Sequence, residues 1–169
     1  WQDIALGGIL LISGFLRLFR YSSRSIFADE QATVSLAALD PINLWLSVAG
    51  MDPHPPFYYL FSHYWGAFTS LTVANLRLTS VFFGTIAVYG MYRAGRLLYS
   101  KHVGLLSSLL LAVSAHHIAS SQYARSYALL SLFTIFSFYY FWRLRNSSQI
   151  YGLIMYVLFT AGIASIHVY

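Results

Sequence analysis

The sequence predicts an all-α fold: a polytopic transmembrane helical protein with interfacial helices in its first outer loop. Three observations predict it. Hydrophobic residues make up 58% of the chain and charged ones only 9%, against roughly 25% charged in soluble domains, so much of the surface must face lipid. The apolar residues fall into windows near the roughly 20 residues a bilayer needs. No stretch sustains a period-two alternation, and in lipid a helix satisfies its own backbone. A length of 169 residues fits one domain.

The expected spans are residues 3–20, 76–98, 103–120, 122–143 and 149–168. The first holds an apolar run over 4–16. No basic segment precedes that run and no small-residue cleavage site follows, so it reads as a clipped membrane helix rather than a signal peptide. The second is bounded by Arg77 and Arg93, whose long side chains can snorkel to the interfaces. The remaining three are nearly charge-free. The chain starts on Trp1 and stops at Tyr169 within an apolar run, so both ends read as cut.

Residues 21–75 form the expected outer loop, which holds four of the five acids: Asp29, Glu30, Asp40 and Asp52. Asp29 is placed to cap one short helix, Asp40-Pro41 to start a second, and Gly50 to end it. Residues 56–71 are apolar but short, and contain His63. The basic stretches 93–101 and 143–145, read as loops, are separated by two spans and so share a side, cytoplasmic by the positive-inside rule. If 56–71 crossed the membrane, Asp29 and Glu30 would be separated from Arg125. An interfacial or re-entrant path gathers the costly ionisable groups on one outer face, and is the preferred reading.

A net charge of +5 with scattered arginines argues against a nucleic-acid reader, which collects basic residues into patches. With no cysteine, disulfides and thiolate metal sites are excluded. Gly-rich phosphate loops, paired Asp-rich magnesium motifs, HExxH and nucleophile elbows are all absent. The sequon Asn146-Ser147-Ser148 falls on the expected cytoplasmic side and is discounted.

Four segments could carry chemistry. Asp29-Glu30 puts two carboxylates side by side, which raises one pKa unless a cation is near. The pair suits a general base or metal ligand, or else a helix cap with a first-turn acid. In Asp52-Pro53-His54-Pro55-Pro56 the prolines make a rigid mount for Asp52 and His54, or simply a helix-entry loop. Around residues 120–127 two spans abut. There Arg125 can bind a phosphate as a fork, with Gln122 and Tyr127 beside it, or snorkel to headgroups. His116 and His117, one turn earlier, read as satisfied polar groups. Arg17 and Arg20 lie one turn apart, on one face, and with Arg24 can hold an anionic headgroup or anchor the helix. His167 and Tyr169 close the fifth span on the same outer side.

Together these segments resemble the GT-C membrane glycosyltransferases, in the branch with protein mannosyltransferases, aminoarabinose transferases and RgtA/B/C/D-like enzymes. The match runs, in order, through Asp29-Glu30-Gln31-Ala32, then His54-Pro55-Pro56-Phe57-Tyr58-Tyr59-Leu60, then Leu76-Arg77-Leu78-Thr79-Ser80 with Arg93-Ala94-Gly95-Arg96-Leu97-Leu98-Tyr99, then residues 114–129. It covers nearly the whole chain. The resemblance implies the N-terminal part of an integral membrane transferase, in the plasma (inner) membrane of a prokaryote with its site outward. It implies a sugar donor carried on polyprenyl phosphate, membrane lipids as partners and an inverting displacement. By resemblance Asp29, with Glu30, deprotonates or orients the acceptor hydroxyl. Arg125, helped by Arg20 and Arg24, stabilises the leaving phosphate. His54, Asp52, Gln122, Tyr127 and His167 complete the implied substrate site. A divalent cation is left open, with Asp29, Glu30 and His54 as its candidate ligands. Relatives often carry an acid where this chain has Tyr123. Full enzymes continue with more spans, so activity is expected to need the rest. The competing class is a transporter or channel subunit with an outer, cation-binding acidic site. A non-catalytic membrane scaffold is a third.

Overall fold

The structure, a computed structural model, describes residues 1–51, 55–146 and 150–166. Among them the fold is all-α, without strands. The helices are α1 (Gln2–Leu18), α2 (Ala28–Ala37), α3 (Pro41–Met51), α4 (Phe57–Phe68), α5 (Val73–Leu98), α6 (Lys101–Val113), α7 (Ala115–Ser120), α8 (Tyr127–Asn146) and α9 (Ile150–Ile166).

The hub is α5, which packs against α1, α6 and α8, while α9 folds back on α8. Thr72 starts it by accepting the Asn75 amide N–H on its hydroxyl. Small residues let its neighbours close in. A Cβ on Gly95 would sit 2.9 Å from the Gly104 Cα, and one on Gly104 would sit 2.7 Å from the Tyr92 carbonyl oxygen. The α5–α6 crossing is therefore backbone against backbone. Ile9, Val88 and Ala112 fill the space between α1, α5 and α6. Tyr58, Ala87, Leu129, Leu132 and Ile166 do the same for α4, α5, α8 and α9.

Outward faces are apolar: Leu11 and Phe15 on α1, Leu106 and Leu110 on α6, and Ile154 and Leu158 on α9 are exposed i, i+4 pairs. Among the described residues α5 alone is long and apolar enough to cross a membrane by itself, and α6 and α9 are shorter apolar helices.

Three expectations are corrected. The window 103–120 is two helices, broken at Ser114, whose hydroxyl accepts the His117 amide N–H and so caps α7. The basic segments 93–101 and 143–145 are not simple loops: Arg93 and Arg96 belong to the last turns of α5, and Arg143 and Arg145 to the last turn of α8. Asp29 does not cap α2. The N-cap is Phe27, and its amide N–H is taken by the Glu30 carboxylate at the third helical position. Asp40 behaves as expected, accepting the Ile42 and Asn43 amides ahead of α3.

Residues 19–72 leave and rejoin the bundle at one end, because Arg77, in the first turns of α5, binds backbone carbonyls just beyond α1. Within that segment α4 has 12 residues, about 18 Å of helix, well short of the roughly 30 Å hydrocarbon core. His63 on α4 meets the Ala37 carbonyl at the end of α2, 2.9 Å away. The helices α2, α3 and α4 thus form a cap on one end of the bundle.

Candidate functional site

Glu30 is the centre of the capped end. It is fully buried, and four N–H groups converge on its carboxylate. Arg77 Nε donates to Oε1 at 2.8 Å and Arg77 Nη2 to Oε2 at 2.6 Å, a bidentate fork. The Phe27 amide donates to Oε2 at 3.1 Å, and the Ala124 amide to Oε1 at 2.8 Å. Four donors use the roughly four lone-pair positions a carboxylate has. Burial pushes the Glu30 carboxyl up, but the Arg77 hydrogen bonds, the Ala124 and Phe27 amides and the Arg77 charge outweigh it. The group is held below the usual carboxylate range. Arg77 is equally saturated, since its remaining donors go to the carbonyls of Tyr21, Arg24 and Ser25.

Gln122 is a second clamp. Its amide nitrogen donates to the carbonyls of Leu16, Arg17 and Phe19, which the end of α1 leaves unpaired. Its carbonyl oxygen accepts from Arg24 at 3.1 Å. The Arg24 guanidinium also lies over the Tyr123 ring, 5.8 Å from its centroid. Arg20 and Arg24 then line an open cavity of about 570 Å³ with Phe19, Ser23 and Gln122. Arg20 has φ of 57°, a left-handed backbone uncommon for a side-chain-bearing residue. It sits past the end of α1 and shares no face with Arg17, which is buried in the bundle.

Asp29 is the exposed neighbour of Glu30 on the first turn of α2. Arg125, between α7 and α8, is half-buried and donates to the Tyr59 hydroxyl at 3.3 Å. Burial lowers the Arg125 pKa, but the Tyr59 hydroxyl, the Asp29 charge and Tyr127 together raise it above its usual value. Asp29 thus lies within Coulombic reach of Arg125, without a direct ion pair among the described residues. A small niche beside Arg125 is lined by Pro55, Tyr58, Tyr59, Ser126 and Ile166.

Residues 18–166 match the family model of the dolichyl-phosphate-mannose-protein mannosyltransferases. The chain belongs to this family. No curated protein and no solved structure matches it.

In this mannosyltransferase-family chain the sequence-derived site residues thus fall into groups. Arg20, Arg24 and Gln122 share one cavity. Asp29 lies within Coulombic reach of Arg125 but lines neither that cavity nor the niche beside Arg125. Tyr127, the exposed first residue of α8, instead lines a cavity of about 310 Å³ with His116, His117 and Ser120. Asp52, His54, His167 and Tyr169 lie outside the described residues. Tyr123, at the position where relatives often carry an acid, packs against Phe27 with its ring tilted by 47° and ring centroids 5.2 Å apart. It offers Arg24 an aromatic face rather than a countercharge. Among the described residues no three His, Asp or Glu side chains gather, and the four donors on Glu30 leave it no lone pair for a cation.

Sequence reasoning missed two partners. Arg77 appeared as an interfacial anchor, yet it is 2% exposed and ion-paired. A charge at the edge of an apolar window can either snorkel or be buried against an acid, and the position alone does not separate the two. Arg17 is wholly buried and donates to the carbonyls of Leu111 and Ala112 at the end of α6. It also donates to His117 Nδ1 at 2.7 Å, which puts the imidazole proton on Nε2.

Proposed function

We propose that this chain is the N-terminal catalytic region of a membrane glycosyltransferase that moves a sugar from a polyprenyl-phosphate carrier to a hydroxyl acceptor. The observation that carries the reading is the division of labour between adjacent acids. Glu30 is consumed by Arg77 and two amides, which fixes the first turn of α2 against residue 124. That leaves Asp29 exposed and within Coulombic reach of Arg125.

In the proposed reaction, Asp29 accepts the proton of the acceptor hydroxyl. The acceptor oxygen bonds to the anomeric carbon from the face opposite the leaving group. The carbon–oxygen bond to phosphate breaks, and its electron pair leaves with the polyprenyl phosphate, inverting the configuration. Arg125 offsets the charge that builds on the departing phosphate. Arg20 and Arg24, in the adjoining open cavity, hold the same phosphate in the ground state. Glu30 and Gln122 are positioning residues: one fixes α2, the other orients Arg24.

A polytopic membrane placement accompanies this reading. It is supported by the apolar outward faces of α1, α6 and α9 and by the length of α5. Arg93, Arg96, Lys101, Arg143 and Arg145 gather at the other ends of the helices, which supports an outward capped end by the positive-inside rule.

The test is transfer from a polyprenyl-phosphate sugar by the full-length protein. Asp29→Asn should lower kcat by about a hundred-fold or more, the usual range for a general base, with unchanged melting. Wild-type turnover in that variant defeats the assignment.

A further inference from the structure

At the end of the bundle opposite Asp29 lies a second cavity of about 570 Å³. Arg77 and Arg93 are 16 residues apart on α5, which is about 24 Å along the axis. Arg93 and Arg96 come from α5, Arg143 from α8, and Asp3 from the start of α1. Tyr89, Arg93 and Arg96 follow an i, i+4, i+7 spacing, and Tyr139 and Arg143 an i, i+4 spacing, so both helices turn a basic-aromatic face to the same space. Three guanidinium groups face a single carboxylate there. Among the described residues the ion pair of Arg77 with Glu30 is the only one formed, so none of these three is neutralised by direct contact.

The cavity is also built rather than incidental. Arg93 donates to the hydroxyls of Tyr89 and Tyr139, each at 2.8 Å, and lies over both rings at 5.7 and 5.3 Å. The two tyrosines hold the guanidinium in place. Each hydroxyl accepts from Arg93 and keeps its own O–H proton to donate. The pocket therefore presents fork-shaped cations and hydroxyl donors together, the complement of a tetrahedral oxyanion.

We propose that this cavity binds a phosphate group, with Arg93 and Arg143 as its principal ligands and Arg96 at its rim. Phosphate can arrive there as an anionic lipid headgroup or as a soluble phosphate compound. The lipid route rests on the membrane placement proposed above, whereas the site itself does not rest on sugar transfer.

The test uses full-length protein in detergent and phosphatidylcholine, with two probes: phosphatidic acid and inorganic pyrophosphate. Binding is read by native mass spectrometry and by the shift in melting temperature. Wild type should retain at least one probe. Retention of phosphatidic acid alone identifies a headgroup site, and equal retention of pyrophosphate identifies a soluble ligand; both support the proposal. Arg143→Gln should weaken binding by about ten-fold, the value of one charge-assisted contact. Arg143→Lys, which keeps the charge but not the fork, should weaken it less and guards against a misfolded glutamine variant. Arg145→Gln is the control, since Arg145 stacks over Trp142 at 5.1 Å and does not line the cavity. Binding of neither probe, or equal losses in the Arg145 and Arg143 variants, overturns the proposal. Because the readout is binding, failure here leaves the transfer assay of Asp29→Asn unaffected.

Discussion

Two neighbouring acids, chemically almost alike, stand in opposite environments. Glu30 is buried under four donors, while Asp29 is exposed. Removing one member of a buried pair strands the other charge, so Glu30→Ala or Arg77→Met should each destabilise the protein by about 3 kcal/mol. The double variant should lose less than the sum of the two singles, because neither charge is then left alone. Denaturation of the three variants checks this, and simple additivity would show that the pair is not coupled. The pair also sets an acid limit. The folded-state pKa of Glu30 lies below its unfolded value, so its contribution is complete above the ordinary carboxylate range. It is lost as pH falls through the depressed folded value. Wild-type melting should therefore drop on strong acidification more steeply than that of Glu30→Gln, and parallel curves would contradict the assignment. None of this was legible from residues 29 and 30 alone. The carboxylate pair was visible, but which acid is free depends on Arg77 and Ala124, distant in sequence and joined only by the fold.

Helices were legible where the apolar run is unbroken, as in α5, which Thr72 also caps, and in the described parts of α8 and α9. The break at Ser114 was not. The segment Ala112-Val113-Ser114-Ala115-His116 contains neither proline nor glycine, and its apolar character continues across the break. The cause is tertiary: ending α6 at Val113 opens the Ala112 carbonyl, and one side of the Leu111 carbonyl, to Arg17, and the Ser114 hydroxyl then starts α7. Ser114→Ala should therefore cost about 1 kcal/mol, as for other lost N-caps, and a thermal scan showing no change would deny the cap its role. The α5–α6 contact is more demanding. A side chain at Gly104 must displace backbone 2.7 Å away, so Gly104→Val should destabilise by about 2 kcal/mol or more through overpacking. Wild-type melting of that variant would mean the two helices do not approach this closely.

For the whole molecule, the decisive feature is that the long segment between α1 and α5 returns to the end it left. The alternation of apolar windows left two topologies open for residues 56–71. The Arg77 contacts with residues 21–25, which no local pattern carries, support the interfacial path proposed above. Because the chain has no cysteine, single cysteines report on this cleanly. Ser25→Cys and Ser70→Cys should both react with an impermeant thiol reagent from one side of the membrane, and Ser100→Cys from the other. Opposite labelling of the first two would separate Asp29 from Arg125 and dissolve the site.

The most direct measurement compares Asp29→Asn with Glu30→Gln in the full-length protein, recording sugar transfer and melting temperature for both. The account predicts that Asp29→Asn keeps its melting temperature and loses turnover, while Glu30→Gln melts several degrees lower, about what a few kcal/mol produces in a domain this size. Wild-type turnover in Asp29→Asn, or undiminished stability in Glu30→Gln, would contradict it.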